Sequence, residues 1–228
     1  MAAFNFVEMI PGVDHTNVHV AAAAIVTGII TVGAFAGRAA LGKGEAAIEP
    51  SGKFSIKAIC ESLIDFMYWL NDMVLGQAGR KYVPFFGSIF IFIFINNIFG
   101  LIPGMVPATE NFNTGFAVGL FSFVFYNWYG LKEDGVAYLK HFLGPMLFLA
   151  PLMLVIEIIS HFVRPISLGL RLGGNMTGDH QVLGAFLELT GVGVPVIFYF
   201  FGLFVCFVQA FVFTLLSMVY VMMASHHD

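Results

Sequence analysis

With 228 residues, 59% of them hydrophobic and only 11% charged, the chain lacks the polar surface of a soluble domain, which carries about 25% charge. The formal net charge of −4 is thinly spread and the 10 Lys and Arg are dispersed, so there is no footprint for nucleic acid. Two distant cysteines in apolar surroundings, Cys60 and Cys206, support neither a disulfide framework nor a zinc site.

The first residues, Met1 to Asp14, include Glu8 and Asp14 but no Lys or Arg, so a cleaved secretory signal is not expected. Residues 1–17 read as an outer N-terminal segment. His15 and His19 are four apart, yet the glutamate of a zinc helix is missing, and no metal is expected. Crossing a bilayer takes about 20 apolar residues. Val20 to Gly37 is the first such run. Lys53 to Val74 differs: Ile56, Ile59, Leu63, Phe66 or Met67, Leu70 and Val74 recur at helical spacing, while Lys57, Glu61, Asp65 and Asp72 fall elsewhere on the wheel. That pattern predicts an amphipathic helix on a membrane surface, over 53–76. Tyr82 to Ile102 is the second span, ended by Pro103-Gly104 and Pro107, and Asn111 to Leu131 is the third. Asp134 to His141 reads as a shorter surface segment.

Phe142 to about Thr177 is apolar but interrupted by Glu157, His161, Arg164 and Arg171, and Leu189 to Ser225 carries no charge. Both are too long to stand upright. Pro195 to Ser225 alone makes about 46 Å of helix, against about 30 Å of hydrocarbon. The expectation is an all-α integral membrane protein, a single membrane domain of about five helices. Its last two helices, within 142–225, form a long, strongly tilted hairpin joined near Gly178 to Gly193. His226-His227 reads as a solvated tail. Basic residues set the orientation: Arg38, Lys43, Lys53, Lys57, Arg80 and Lys81 lie between the first two spans, and Lys132 and Lys140 follow the third. The N-terminus is therefore expected outside and the C-terminus in the cytoplasm.

Charged side chains inside a bilayer are costly, about 2.5–3.5 kcal/mol for one Arg at a helix centre, and such residues mark function. Glu157, Ser160 or His161, Arg164, Ser167 or Leu168, Arg171 and Asn175 succeed one another at steps of three and four, making one stripe on an apolar helix. Such a stripe faces protein or water. Gly202, Cys206, Gln209, Phe213, Ser217 and Tyr220 make a matching stripe on the last helix, which places Arg171 near Gln209. Arg164 has a plain structural reading, as a packing device paired with Glu157. Arg171 lies about 21 Å along the helix from Glu157, too far for that pair, which leaves Glu188 or another chain to supply its anion. A guanidinium stays protonated, so Arg171 is a fixed charge that discharges a passing carboxyl group and blocks a direct leak. Glu157 on one side and His180 on the other are groups able to carry protons.

The run Arg164-Pro165-Ile166-Ser167-Leu168-Gly169-Leu170-Arg171-Leu172-Gly173-Gly174-Asn175-Met176 resembles the signature of subunit a of the F-type ATP synthase. Gln209-Ala210-Phe211-Val212-Phe213 with Tyr220 and Met223-Ala224-Ser225 is similar to that family's last helix, and Asn96-Asn97 with Gly100-Leu101-Ile102-Pro103-Gly104 to its second span. The resemblance implies a stator beside a rotating ring of c subunits, with two half-channels for protons, in a bacterial inner membrane. Arg171 matches the family's essential arginine. Glu157 and Ser160 match the cytoplasmic half-channel. Asn175, His180 and Gln209 match positions near the arginine or in the outer half-channel, and Tyr220 lies in the last-helix motif. Partners implied are the c ring, protons, lipid and, through the amphipathic helix, the b subunits of the peripheral stalk. Many members place a His or an acid on the last helix opposite the position of His180. Here that position is Gly202, so the outer path would rely on water, Asp179 or Glu188.

No Gly-rich phosphate loop, nucleophile elbow or CxxC occurs, so no cofactor and no direct binding of ATP is expected. A secondary transporter would show repeated halves with paired broken helices, which are absent from the sequence. A structural scaffold would have no need of Arg171.

Overall fold

The computed structural model describes residues 6–11, 13–14, 16–41, 55–102, 104–134, 150–189 and 193–225. Among these residues every regular element is helical: α1 (Val18–Leu41), α2 (Ile56–Val74), α3 (Val83–Gly100), α4 (Phe112–Asp134), α5 (Ala150–Leu189) and α6 (Gly193–Ser225). Short 3₁₀ turns occupy Phe6–Met9, Gln77–Tyr82 and Ala108–Glu110. His15, the surface segment expected after Asp134, the start of the run from Phe142 and the His226-His227 tail lie outside the described residues.

Among the described residues four stretches are long and apolar enough to cross a membrane: Val18–Ala39, Gln77–Gly100, Leu152–Leu187 and Val194–Met223. The expected third span is the helix α4, whose 23 residues reach about 35 Å. Asn113, Thr114, Ser122 and Asn127 dilute its apolar character. Two of these groups serve inside the protein, where Ser122 Oγ bonds to Ser217 Oγ at 3.0 Å and Asn127 holds His161 at 2.8 Å.

The long hairpin is present. α5 has 40 residues and α6 has 33, which at 1.5 Å each give about 60 and 50 Å, so neither fits upright in about 30 Å of hydrocarbon. α5 runs through Gly178 to Leu189, well past Thr177, because a lone glycine is tolerated within a helix and no proline follows to end it. The second arm begins at Gly193. Phe186 stacks on Phe198 with ring centroids 4.1 Å apart and draws the two arms together.

α4 packs on α5 more extensively than any other pair of helices meets. Glycines permit this approach: a Cβ on Gly115 would stand 2.8 Å from the Gly169 carbonyl oxygen, and one on Gly119 2.7 Å from that of Pro165. Backbone-on-backbone contact of this kind is how membrane helices adhere without a hydrophobic driving force. Behind the hairpin, α2 and α3 fill the core. Met67 and Leu70 of α2 and Phe86, Phe90 and Ile93 of α3 join Leu168 and Leu172 of α5 and Ala210, Phe213 and Met218 of α6 in one buried cluster. The apolar stripe of α2 from Leu63 to Val74 thus lies against protein, with Phe66 touching the rings of Phe90, Phe207 and Phe211, while Ile59 of that stripe, with Trp69 and Met73, stays exposed. Ser55 caps α2 by accepting from the Ala58 N–H at 3.3 Å, and Gly76, at φ 67°, supplies the left-handed turn from α2 toward α3. At the opposite end of α3, the Phe6 N–H donates to Gly104 O at 2.9 Å, docking the N-terminal segment on the α3–α4 connection.

Candidate functional site

α5 carries its polar groups in three groups. The first precedes Arg171. Arg164 Nη2 lies 3.8 Å from Glu157 Oε1, and the guanidinium sits over the Tyr220 ring of α6 at 5.3 Å. Glu157 therefore has a cation beside it. Ser160, half-buried, stands one turn from both. His161 is only 8% exposed and is clamped by α4. Asn127 Nδ2 donates to Phe123 O at 2.7 Å, which turns its amide oxygen toward His161. His161 Nε2 therefore donates to that oxygen at 2.8 Å, leaving Nδ1 facing the Tyr126 hydroxyl at 3.4 Å.

Arg171 stands alone at the centre. It lies about 29 Å along the axis from Leu152 and about 24 Å from Leu187, the limits of the apolar stretch. The residue is exposed, and Val163, Ile166 and Leu170 beside it are exposed too. Among the described residues no hydrogen bond or ion pair reaches its guanidinium. Its expected neighbour Gln209 is held instead by Asn175, whose Nδ2 donates to Gln209 Oε1 at 2.6 Å. Asn175, one helical turn on from Arg171, is the residue that contacts the buried Gln209. The side chain of Glu188, the rival anion, is outside the description.

The third group follows Arg171 and surrounds a cavity of about 150 Å³ between α3, α5 and α6. Its lining includes Asn97, Met176, Asp179, His180, Gly202 and Cys206. His180 spans two partners, with Nε2 2.7 Å from Gly100 O and Nδ1 2.9 Å from Glu110 Oε2. Thr109 donates to Asn97 Oδ1 at 2.8 Å. Three buried atoms here have no partner: Asn97 Nδ2, Asp179 Oδ2 and Gln209 Nε2. A cavity of this size has room for several waters, which is how buried polar atoms are normally satisfied. Gly202 is buried, and a Cβ there would meet Leu101 Cδ2 at 2.8 Å.

The structure thus brings together Glu157, Arg164 and Tyr220, then Asn175 and Gln209, then His180 with Glu110. Sequence reasoning overlooked Glu110, Thr109, Tyr126 and Asn127, and named Asn97 only within the second-span motif. For Glu110 a signal existed, since it is the only charged residue between Lys81 and Lys132.

Comparison with known proteins adds a lineage to this geometry. Residues 23–222 match the family model described as ATP synthase A chain. The chain is 59% identical over 228 residues to ATP synthase subunit a of Bdellovibrio bacteriovorus, covering 99% of each. It is 48% identical over 147 residues to ATP synthase subunit a of Geotalea daltonii, covering 64% of each, and 46% identical over 161 residues to that of Nitratidesulfovibrio vulgaris, covering 69% of each.

Proposed function

The chain belongs to the ATP synthase A chain family, and from that premise we propose how it works as a proton-translocating stator in the membrane sector of an F-type ATP synthase. The observation that carries the reading is Arg171: a permanent cation midway along α5, exposed, with no anion among the described residues. A guanidinium left against hydrocarbon is too costly to stand without purpose. Its partner is a carboxyl group brought by another chain, the ring of c subunits. As each ring carboxyl arrives, the cation favours the ionised form and expels the proton. As it leaves, it takes up another. The fixed charge between the two half-channels keeps them from joining into a leak.

In this reading Glu157 and Ser160, with Tyr220 across the seam, line the path to the cytoplasm. Asn175, His180 and Gln209, with the cavity beside them, line the path to the outside. The paired amides of Asn175 and Gln209 hold α5 and α6 at a fixed spacing beside Arg171 and offer hydrogen bonds to water. The whole chain acts as one unit in a bacterial inner membrane. Its segment 1–17 is outside, its C-terminus is cytoplasmic, and the surface helix within 53–76 is the docking place for the b subunits of the peripheral stalk.

The test is Arg171→Ala in the complete complex reconstituted in vesicles. ATP-driven proton pumping is lost while the complex still assembles. Coupled pumping retained in the alanine variant overturns the mechanism.

A further inference from the structure

The outer end of this chain has an unusual distribution of acid and base. α6 offers no titratable side chain at Gly202, and the Leu101 side chain and the cavity occupy the space such a group would need. A carboxylate reaches His180 nevertheless, from a different element. Glu110 closes the 3₁₀ turn Ala108–Glu110, just before α4, and its Oε2 lies 2.9 Å from Nδ1.

Hydrogen-bond accounting fixes what this pair does. Gly100 O can only accept, so Nε2 must carry a proton to make its 2.7 Å bond. Nδ1 and Glu110 Oε2 then face each other across 2.9 Å, and that bond needs a proton as well. It is present either as imidazolium with carboxylate or as neutral imidazole with carboxylic acid. Without it, a lone pair on Nδ1 would face an anion. The pair therefore stores one exchangeable proton within a single short bond. Moving it breaks Glu110 O–H and forms Nδ1–H, or the reverse, with no change in total charge.

Both residues are positioned for access. The side chains of Glu110 and His180 are 28% and 23% exposed, and His180 also lines the cavity with Asp179. Asp179 Oδ2 and Asn97 Nδ2, both buried there without partners, are an acceptor and a donor for intervening water. Glu110, Asp179 and Cys206 are the titratable groups that surround His180 from the α3–α4 connection, α5 and α6 among the described residues. The Gly100 carbonyl cannot accept a proton, so delivery to the cavity requires the imidazole ring to turn out of that bond.

We propose that Glu110 and His180 form the proton-holding pair at the mouth of the outer pathway, with the α3–α4 connection supplying the acid that α6 lacks at Gly202. This rests on the reading of the chain as a proton-conducting stator. The experiment uses the whole complex in vesicles and measures ATP-driven pumping and its dependence on pH at the outer side. Glu110→Gln, which keeps shape but cannot hold the proton, lowers pumping at least about tenfold, within the range of a lost acid–base group, and flattens the pH profile. Glu110→Asp keeps most of the rate. Glu110→Cys, labelled after assembly so that folding is not in question, is restored by iodoacetate, which adds a carboxylate, and not by iodoacetamide. The native complex treated alike sets the baseline. A Glu110→Gln complex with the native rate and profile overturns the proposal, as does equal restoration by the two reagents. Pumping retained in Arg171→Ala would instead overturn the stator reading itself, so the two failures are distinct.

Discussion

Before Arg171, Glu157 meets Arg164, Arg164 covers Tyr220, His161 bonds to Asn127, and Ser122 reaches Ser217. After Arg171 the polar groups are as numerous but less complete, with Asp179 Oδ2, Gln209 Nε2 and Asn97 Nδ2 buried and unpaired beside a cavity. In a medium where an unmet hydrogen bond costs about 1–3 kcal/mol, these are different constructions. The first half uses polarity to lock α4, α5 and α6 in register. The second leaves polarity open to water. The two ends of one helix are therefore built differently, one as a tightly bonded wall and the other around a cavity.

The strongest way to break the comparison is to part α4 from α5, since both halves depend on that seam. Gly119→Leu would drive a side chain into the Pro165 carbonyl, which a Cβ already meets at 2.7 Å. Backbone cannot yield as a flexible side chain would, and overpacking of this kind costs about 1–3 kcal/mol or more. The expected result is loss of assembled complex and of pumping, measured as protease-resistant chain in the membrane. Gly28→Ala, with nothing within 4 Å, is tolerated. Equal yields from the two variants would mean that α4 and α5 do not touch backbone to backbone.

A narrower pair of substitutions sharpens the contrast. Asn175→Leu leaves Oε1 of Gln209, which is 3% exposed, without its partner and lowers pumping about tenfold, consistent with one unmet buried bond. Glu157→Gln removes one charge from a group that keeps its shape and slows proton passage only severalfold. Flux measured from about pH 6 to 9 separates the two. Unchanged flux across that range in Glu157→Gln would take this residue off the path.

Much of this arrangement is legible in residue order. Helical spacing marked the stripe from Glu157 to Asn175, and length alone required the long hairpin. What spacing cannot give is which neighbour a stripe residue selects. Asn175 and Arg171 differ by one turn, and only the direction of the α5–α6 seam decides that Asn175 meets Gln209. Glu110 escaped for another reason. Its partner is 70 residues away, across a connection whose path no periodicity describes. The glycines at 115, 119 and 169 were silent as well, because a close helix approach appears in the sequence only as an absence of side chains.

The smallest expected effect comes from a charge pair outside both halves, which shows what such a pair contributes where water reaches it. Arg80 Nη2 lies 2.6 Å from Asp72 Oδ2, and both side chains are open to solvent. The hydrogen bond from Arg80 holds the Asp72 carboxyl below its ordinary value. Because the folded state binds this proton less readily than the unfolded chain, the pair stabilises above the unfolded aspartate value of about 3.9. That contribution disappears as pH falls through the lower folded value. Asp72→Asn should therefore lower the melting temperature of the detergent-solubilised chain slightly at neutral pH. The difference from the native chain should close in strong acid, and also in about 1 M salt, which screens exposed pairs. A gap that persists in acid would assign the effect to packing around α2 and not to charge.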